Sequence, residues 1–360
     1  MSDNNSHSSN KLNLGIIFGG ASSEYDVSLM SATSVLKNID SEKYNIYKIG
    51  ITKEGVSFLY NGEIEEIQKN NWQGAHCVPC VISPDRSHHG IIVLGDSTKI
   101  IRLDVIFPVL HGKNGEDGTF QGLMALANIP YVGCDTLSSA CCMDKAVTKT
   151  IFDNAKINNA KWECVLQYQY NKDQEACFRR IEENLGYPCF VKPANAGSSV
   201  GITKATDRSS LIKAFELAFI HDKKVVIEQN IKGKEIECAV LGNEAPIASV
   251  LGEIVPCNDF YDYDAKYLAN KTVTHIPARI DASVAETIKS IAIQAYLALG
   301  CEGFSRVDFF LTENNEIILN EINTIPGFTS ISMYPQLFAA SGIPYTKLID
   351  RLIELALERK

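Results

Sequence analysis

The sequence lacks the features that mark membrane proteins, secreted proteins and nucleic-acid-binding proteins. No stretch approaches the run of about 18 apolar residues that a membrane span needs, and residues 1–10 are polar, without the apolar core of a secretory signal. We find no stripe of Lys and Arg, and the formal net charge of −9 argues against nucleic acid or an anionic membrane as the main partner. These absences predict a cytoplasmic protein that acts on a small molecule.

Cysteine is present without the spacing of a metal or disulfide site. The eleven cysteines follow no repeating pattern, and Cys189, Cys238 and Cys301 lie in apolar runs, where a reduced thiol acts as a small hydrophobic group. Cys77-Val-Pro-Cys80 is a single C-x-x-C without a second pair, which gives little support to a zinc or redox site.

The length of 360 residues predicts two or three domains. Alternating strand and helix patterns over residues 12–135 predict an open α/β domain with a mostly parallel sheet. Residues 136–230 read as a small α+β lobe, and residues 231–360 as a second, larger α+β lobe. Because no flexible linker separates these segments, we expect an active site in the cleft between them.

Two strand-like runs near the carboxyl terminus, residues 306–311 and 316–323, are separated by the turn-rich Thr312-Glu-Asn-Asn315. A tight turn centred on Asn314-Asn315 would join them as a hairpin. In that register Asp308 lies opposite Glu321, and Arg306 lies opposite Asn323. All four side chains then project from the same face of the hairpin.

Two carboxylates that face each other across a hairpin have Cβ atoms about 5 Å apart and repel each other unless a cation lies between them. Asp308 and Glu321 therefore predict a divalent ion, with the side-chain oxygen of Asn323 as a third ligand. Arg306 beside them would bind an anion, so we interpret the face as a platform for Mg²⁺ and phosphate. The alternative, a solvated face with scattered charges, fits poorly because the predicted face also carries apolar residues: Phe310, Ile317 and Leu319.

Two glycine-dense loops follow strands in the first segment. Phe18-Gly-Gly-Ala-Ser-Ser-Glu24 lacks G-x-G-x-x-G, so it gives little support to a dinucleotide-binding dehydrogenase, and a plain tight turn would also explain its glycines. Glu24 at the loop tip could hold an ammonium group. The loop from His111 to Gly118 lies where open α/β sheets bind ligands, which makes His111 and Glu116 site candidates, although a single His at a strand end is more often structural.

The second and third segments carry candidate nucleotide-binding residues. Lys192 ends an apolar strand and precedes a Gly/Ser loop whose amides can contact phosphate, although the sequence is not a Walker A motif. Lys192 and Lys145 could both bind phosphates. The strand that ends at Glu228 predicts a hinge beside adenine, and Glu235 could hold ribose hydroxyls. Residues 260–267 are aromatic, charged and turn-prone, which is typical of a mobile flap.

The order of these motifs resembles the ATP-grasp fold, and within it the D-alanine:D-alanine ligase family, close to the D-alanine:D-serine resistance ligases. The resemblance covers residues 13–357. Its motifs are Phe-Gly-Gly-x-Ser-x-Glu24, His111-Gly-x-x-Gly-Glu116-Asp-Gly, Met143-Asp-Lys145, Lys192-Pro with Gly-Ser198-Ser-x-Gly, Phe-Tyr-Asp-Tyr-x-Ala-Lys266-Tyr267, Arg306-x-Asp308 and Glu321-x-Asn323-Thr-x-Pro-Gly327-x-Thr-Ser.

The resemblance implies roles for the matching residues. The residues that would bind ATP are Lys145, Lys192, Glu228 and Glu235. The residues that would bind two Mg²⁺ (or Mn²⁺) ions are Asp308, Glu321 and Asn323. Among the residues with catalytic roles, Glu24 would bind the ammonium group of the first D-alanine. Ser198 and Tyr267 would lie near the incoming amine. Arg306 and the Gly327 backbone N–H would stabilise the oxyanion. His111 would bind substrate, Lys266 would bind phosphate, and Ser332 would bind the carboxylate of the second substrate.

We therefore expect a cytoplasmic ATP-dependent ligase, a homodimer by resemblance, that joins two D-alanines through a D-alanyl phosphate for peptidoglycan synthesis. Nucleic acid and membrane are not expected partners. One alternative is a D-alanine:D-serine ligase of a vancomycin-resistance cluster. The other is a nucleotide-binding protein of the same fold without activity, which would be expected to have lost part of the metal-binding residues or the Arg306 and Gly327 pair; none is missing.

Overall fold

The computed structural model describes residues 11–95, 97–255 and 273–359. Three sheets organise this part of the chain. The first sheet contains β1 (Leu12–Gly19), β2 (Tyr44–Ile51), β3 (Ser57–Tyr60), β4 (Cys77–Ile82), β5 (Gly90–Leu94), β6 (Thr98–Arg102) and β7 (Val105–Val109). The second contains β8 (Trp162–Leu166), β9 (Cys189–Pro193), β10 (Thr203–Ala205) and β11 (Lys224–Gln229). The third contains β12 (Lys234–Leu241), β13 (Ile247–Val255), β14 (Val273–His275), β15 (Phe304–Leu311) and β16 (Ile317–Asn323).

Helices cover the sheets and connect their strands. They are α1 (Tyr25–Asn38), α2 (Ile64–Gln68), α3 (Thr119–Ala127), α4 (Thr136–Met143), α5 (Lys145–Asn154), α6 (Gln167–Lys172), α7 (Gln174–Asn184), α8 (Arg208–His221), α9 (Ala282–Ala298), α10 (Met333–Ala340) and α11 (Tyr345–Glu358). Among the described helices, none combines the length and the apolar character that crossing a membrane would require.

The first sheet has the strand order β6-β5-β4-β3-β2-β1-β7. Strand β1 pairs in parallel with β2 and β7, whereas each pair from β2 to β6 is antiparallel. The expected parallel arrangement is therefore limited to three strands. The reason is the connections: α1 returns the chain from β1 to β2, but short loops join β2 to β3, β4 to β5 and β5 to β6, and a short loop can only reverse the chain.

The second sheet, of order β10-β9-β11-β8, is antiparallel and has a core of its own. Phe178 and Ile181 of α7 and Leu211 and Phe215 of α8 are buried against it. The loop between β9 and β10 leaves this sheet toward the rest of the protein, and Ser198 within it has a φ of 49°, in the left-handed region.

The third sheet, of order β14-β13-β12-β15-β16, contains the predicted hairpin as β15 and β16. Asp308 pairs with Glu321 and Arg306 with Asn323, which confirms the predicted pairing. The turn differs from the prediction. The amide of Thr312 donates to the carbonyl of Glu316 (3.0 Å), so three residues form the turn and Asn315 adopts a φ of 60°.

A bulge at Asn320 then adds one residue to β16, so that Phe309, and not Phe310, pairs with Leu319. The prediction that Leu319 and Ile317 share the polar face is therefore wrong: Leu319 is buried in the core on the other side of the sheet, and Ile317 packs against that core. Phe310 does lie on the polar face.

The first and third sheets share one hydrophobic core, which an aromatic cluster joins. The ring of Phe328 lies 5.9 Å from that of Phe107 in β7 and 5.9 Å from that of Phe304 in β15. Tyr334 of α10 packs on both Phe304 and Phe328. The segment immediately before α10 is thereby fixed between two sheets.

Helix α11 is attached to the first sheet by a buried carboxylate. Asp350 Oδ2 lies 2.6 Å from Lys43 Nζ, and Asp350 Oδ1 accepts a hydrogen bond from the Tyr44 hydroxyl (3.2 Å). The Asp350 side chain is only 5% exposed, whereas that of Lys43 is 45% exposed, so the contact with Tyr44 is the more protected one.

Replacing Asp350 with Ala should leave the Tyr44 hydroxyl without its acceptor and lower the free energy of unfolding by about 2 kcal/mol. The apparent midpoint of thermal unfolding, followed by circular dichroism, measures this change. Glu354→Ala, one turn along the same helix and exposed, is the matched control and should leave the midpoint unchanged. Equal midpoints for the two variants would contradict the assigned anchor.

Candidate active site

A cavity of about 810 Å³ opens where the three sheets meet, within the usual size range of small-molecule sites. Almost all of the site residues predicted from the sequence line it. They are Glu24, His111, Glu116, Lys145, Lys192, Ser198, Glu228, Glu235, Arg306, Asp308, Glu321, Asn323, Gly327 and Ser332. The remaining two, Lys266 and Tyr267, belong to the predicted flap and lie outside the described residues, so their roles stay predictions.

Glu24 lies at the start of α1, directly after the carboxyl end of β1, and its side chain is buried. The Ser198 hydroxyl donates a hydrogen bond to Glu24 Oε1, which connects the first domain to the loop of the second sheet. Glu24 Oε2 has no hydrogen-bond partner among the described residues. A buried carboxylate oxygen of this kind favours a cationic ligand.

Two glycines make room for that carboxylate. A Cβ atom at Gly112 or at Gly197 would overlap Glu24 Oε2, and Gly112 has a φ of 71°, which disfavours other residues. The glycines of two separate motifs thus allow both loops to approach the same oxygen.

His111 is buried with both ring nitrogens bonded to the protein. Nδ1 donates to the carbonyl of Ile325 (2.9 Å), and Nε2 lies 3.1 Å from the hydroxyl of Ser31, which also accepts from the amide of Phe328 (3.3 Å). Burial disfavours the charged ring, but the carboxylate of Glu116, 3.9 Å from Nδ1, raises the pKa of His111 overall. These bonds make His111 a support for the segment on either side of Gly327, and its contact with substrate stays a prediction.

The segment that contains Gly327 is held at several points. In addition to the bonds to Ile325 and Phe328, the Tyr345 hydroxyl donates to the carbonyl of Phe328. Ser332, the residue before α10, accepts a hydrogen bond from the amide of Thr329 (3.0 Å). An extra Cβ at Gly327 would lie 3.1 Å from Ser332 Oγ, so the Gly327 backbone and this hydroxyl face the same space.

A cluster of lysines surrounds Glu228 at the end of β11. Lys192 Nζ lies 2.9 Å from Glu228 Oε2, and Lys149 Nζ lies 3.5 Å from Oε1. Burial alone would raise the pKa of Glu228, but these two lysines lower it to about 2. Lys145 Nζ donates to the carbonyl of Ala196 (2.7 Å), at the base of the Gly/Ser loop. Such a cluster is suited to a polyanion such as a nucleotide.

Three carboxylates lie side by side on the third sheet. Glu237 in β12 pairs with Asp308 in β15, and Asp308 pairs with Glu321 in β16. Arg306 donates from Nε to Asp308 Oδ1 (2.7 Å) and from Nη2 to Oδ2 (2.7 Å), while its Nε also lies 3.1 Å from Glu237 Oε2. Burial disfavours the charged guanidinium, but Asp308 and Glu237 outweigh it and hold the pKa of Arg306 well above its ordinary value.

The oxygens of Asp308, Glu321 and Asn323 share one face, and these are the ligand types that Mg²⁺ prefers. Asn323 Nδ2 donates to Asp308 Oδ2 (2.9 Å), so the amide oxygen of Asn323 is directed elsewhere. Within the described ranges, no three His, Cys, Asp or Glu side chains converge as a preformed metal site. The donor types fit a Mg²⁺ ion, which Asp308, Glu321 and Asn323 would hold together with oxygens of a bound ligand.

Two charged residues in the lining of this cavity, Lys149 and Glu237, were not predicted from the sequence. A signal for each was present. Lys149 follows Lys145 by four residues, which places both on one face of α5, and Glu237 follows Glu235 by two, which places both on one face of a strand. The prediction that Lys145 and Glu235 face the site could thus have been extended to Lys149 and Glu237.

Comparison with known proteins identifies the family of this chain. A family model described as D-ala D-ala ligase N-terminus matches residues 13–134, and one described as D-ala D-ala ligase C-terminus matches residues 151–354. A D-alanine–D-alanine ligase from Caldicellulosiruptor bescii is 49% identical over 351 residues, which cover 97% of this chain and 96% of the relative. One from Ruminiclostridium cellulolyticum is 50% identical over 361 residues, covering 97% of this chain and 96% of the relative.

Solved structures give the same result for the fold. The VanG D-Ala:D-Ser ligase from Enterococcus faecalis superposes with a TM-score of 0.89 at 46% identity, covering 96% of this chain and 100% of that chain. The D-alanine-D-alanine ligase from Coxiella burnetii has a TM-score of 0.86 at 36% identity, covering 97% of this chain and 94% of that chain. The ATP-grasp fold predicted from the sequence is confirmed, and the chain belongs to the D-alanine–D-alanine ligase family.

Proposed function

We propose that the protein is an ATP-dependent ligase that joins two molecules of D-alanine, releasing ADP and phosphate, and so supplies a dipeptide for peptidoglycan synthesis. The observation that supports this best is the content of the cavity described above. A buried carboxylate that suits an ammonium group, a lysine cluster that suits a nucleotide, and an arginine beside two metal-binding acids all line it. These are the groups that a carboxylate-amine ligase driven by ATP requires.

ATP would bind among the lysines. Lys145 and Lys192 would contact phosphate oxygens, Glu228 would lie beside adenine, and Glu235 would hold the ribose hydroxyls. The ion pairs of Glu228 with Lys192 and Lys149 fix these side chains before ATP binds, so little side-chain freedom is lost when it does.

The first D-alanine would place its ammonium group on Glu24 Oε2. Its carboxylate oxygen attacks the γ-phosphorus of ATP, ADP leaves, and D-alanyl phosphate forms. The neutral amine of the second D-alanine then attacks the acyl carbon, the C–O bond to phosphate breaks, and the amine loses a proton. Ser198 and Tyr267 would lie near that amine, and Ser332 would hold the second carboxylate.

The tetrahedral intermediate carries an oxyanion, which the guanidinium of Arg306 and the Gly327 backbone N–H would stabilise. Donors fixed in advance for such a charge are often the largest contribution to catalysis. The bonds that hold Ile325 and Phe328 on either side of Gly327 support that role. Lys266 would bind the departing phosphate.

Asp308, Glu321 and Asn323 would hold two Mg²⁺ ions, which when bound offset the negative charge on the phosphates during transfer. We also propose a homodimer, on the family resemblance alone. The cytoplasmic location and the absence of nucleic-acid and membrane partners stay predictions.

The second substrate has two candidates. The relatives above are named D-alanine–D-alanine ligases, which supports D-alanine, whereas the similarity to the VanG D-Ala:D-Ser ligase supports D-serine. Met333, next to Ser332, favours D-alanine because it is an apolar residue in the lining of the cavity. An apolar pocket rejects an added hydroxyl only weakly, by roughly 100-fold at most.

Replacing Glu321 with Gln should reduce ADP release by about 100-fold or more, because one of two metal-binding carboxylates loses its charge. A coupled assay of ADP release at several Mg²⁺ concentrations measures it. Glu313→Gln, an exposed change in the turn of the same hairpin, should behave as wild type. A fully active Glu321→Gln enzyme at ordinary Mg²⁺ would remove the metal assignment.

For the second substrate, we expect a higher kcat/KM with D-alanine than with D-serine, and D-lactate should be a poor substrate. The experiment offers D-alanine as the first substrate together with equal amounts of D-alanine and D-serine, and separates the dipeptides by mass. D-lactate is offered in a parallel reaction. A product ratio in favour of D-alanyl-D-serine would instead assign the protein to the resistance ligases.

A further inference from the structure

Glu237 has no role in the reaction as set out above, yet it lies in the same row as the two proposed metal ligands. Antiparallel pairing places it beside Asp308, which in turn faces Glu321. Its side chain is only 9% exposed. A carboxylate that is this deeply buried needs a partner of opposite charge, and Arg306 is the cation beside it.

Arg306 is shared between Glu237 and Asp308. In this structure Asp308 uses both of its oxygens on the guanidinium, at 2.7 Å each, and Oδ2 also accepts from Asn323. A divalent ion bound by Asp308 competes for those same oxygens. Glu237 does not face this competition, because no third acid converges on the proposed metal ligands within the described ranges. Its Oε2 lies 3.1 Å from Arg306 Nε, whose one hydrogen is donated to Asp308 in this structure.

We propose that Glu237 is a positioning residue for Arg306, an inference that rests on the roles proposed above for Arg306 and Asp308. When Asp308 binds the metal ion, Glu237 keeps the guanidinium in place so that its remaining N–H groups are available to the oxyanion. Glu237 also balances the charge of Arg306, which leaves the negative charges of Asp308 and Glu321 for the metal. Without it, the carboxylates of this row that remain to balance Arg306 are those of the proposed metal ligands, Asp308 and Glu321. Their use by Arg306 and their use by the metal then oppose each other.

Two consequences separate this role from a general contribution to folding. Loss of the Glu237 charge should weaken binding of tetrahedral analogues, which depend on Arg306, and should weaken metal binding, which depends on Asp308. It should leave the affinity for ADP measured without metal unchanged, because ADP without metal depends on the lysine cluster around Glu228.

The test compares wild type with Glu237→Gln and Glu237→Asp in the full-length protein. The control is Glu244→Gln, an exposed change just after the same strand. For Glu237→Gln we expect kcat to fall roughly 10- to 100-fold with little change in KM for ATP. The affinity for a dipeptide phosphinate with a tetrahedral phosphorus should fall by a similar factor. Mn²⁺ titration of the enzyme with ADP, followed by electron paramagnetic resonance, should show weaker metal binding.

Glu237→Asp retains the charge and should recover part of both losses, whereas Glu244→Gln should show neither. Unchanged kcat and phosphinate affinity in Glu237→Gln would overturn the inference. A lowered thermal midpoint with equal losses of metal-free ADP and phosphinate binding would also overturn it, in favour of a structural role. Failure of the proposed function is a separate result: wild-type protein would then form no dipeptide from D-alanine, before any variant is compared.

Discussion

The buried positive charge of Arg306 is the constraint on which the site depends. A guanidinium in a cavity wall is stable only when carboxylates compensate it, and here Glu237 and Asp308 contact it from two neighbouring strands. The pairing of β12, β15 and β16 fixes where those carboxylates lie, so sheet register and site electrostatics cannot change independently. A slip of one residue in either pairing would turn these charges into the core behind the sheet, where Val307 and Phe309 now pack.

The remaining groups reach Arg306 because three sheets meet around one cavity. The segment before α10 carries Gly327 to the site, and Phe328 anchors it between Phe107 and Phe304. Ser198 lies in a loop of the second sheet, which has its own core, and its hydrogen bond to Glu24 connects that loop to the first helix. Assembly of the proposed catalytic groups therefore depends on how the second sheet lies over the first, which is the arrangement expected of a fold that encloses ATP.

Much of this could be predicted from the sequence, but not always for the right reason. The pairing of Asp308 with Glu321 was predicted from a two-residue turn, whereas the structure has a three-residue turn and a bulge at Asn320. The longer turn shifts the pairing by one residue, and the bulge shifts it back. Beyond the bulge the predicted pairing of Asp308 with Glu321 is therefore correct, whereas between the turn and the bulge, at Leu319, the predicted pairing is wrong. For Lys149 and Glu237 the local signal was their spacing from Lys145 and Glu235. Their ion-pair partners, Glu228 and Arg306, lie on other elements and could not be predicted, because only tertiary structure brings them together.

In the proposed reaction, ATP activates a substrate carboxylate in this cavity through an acyl phosphate. D-alanine labelled with ¹⁸O in both carboxylate oxygens tests it directly. If the carboxylate attacks the γ-phosphate and the amine then displaces that phosphate, one labelled oxygen leaves with it. Mass spectrometry of the released inorganic phosphate should therefore show one ¹⁸O atom for each dipeptide formed. Dipeptide formation accompanied by unlabelled phosphate would contradict the account.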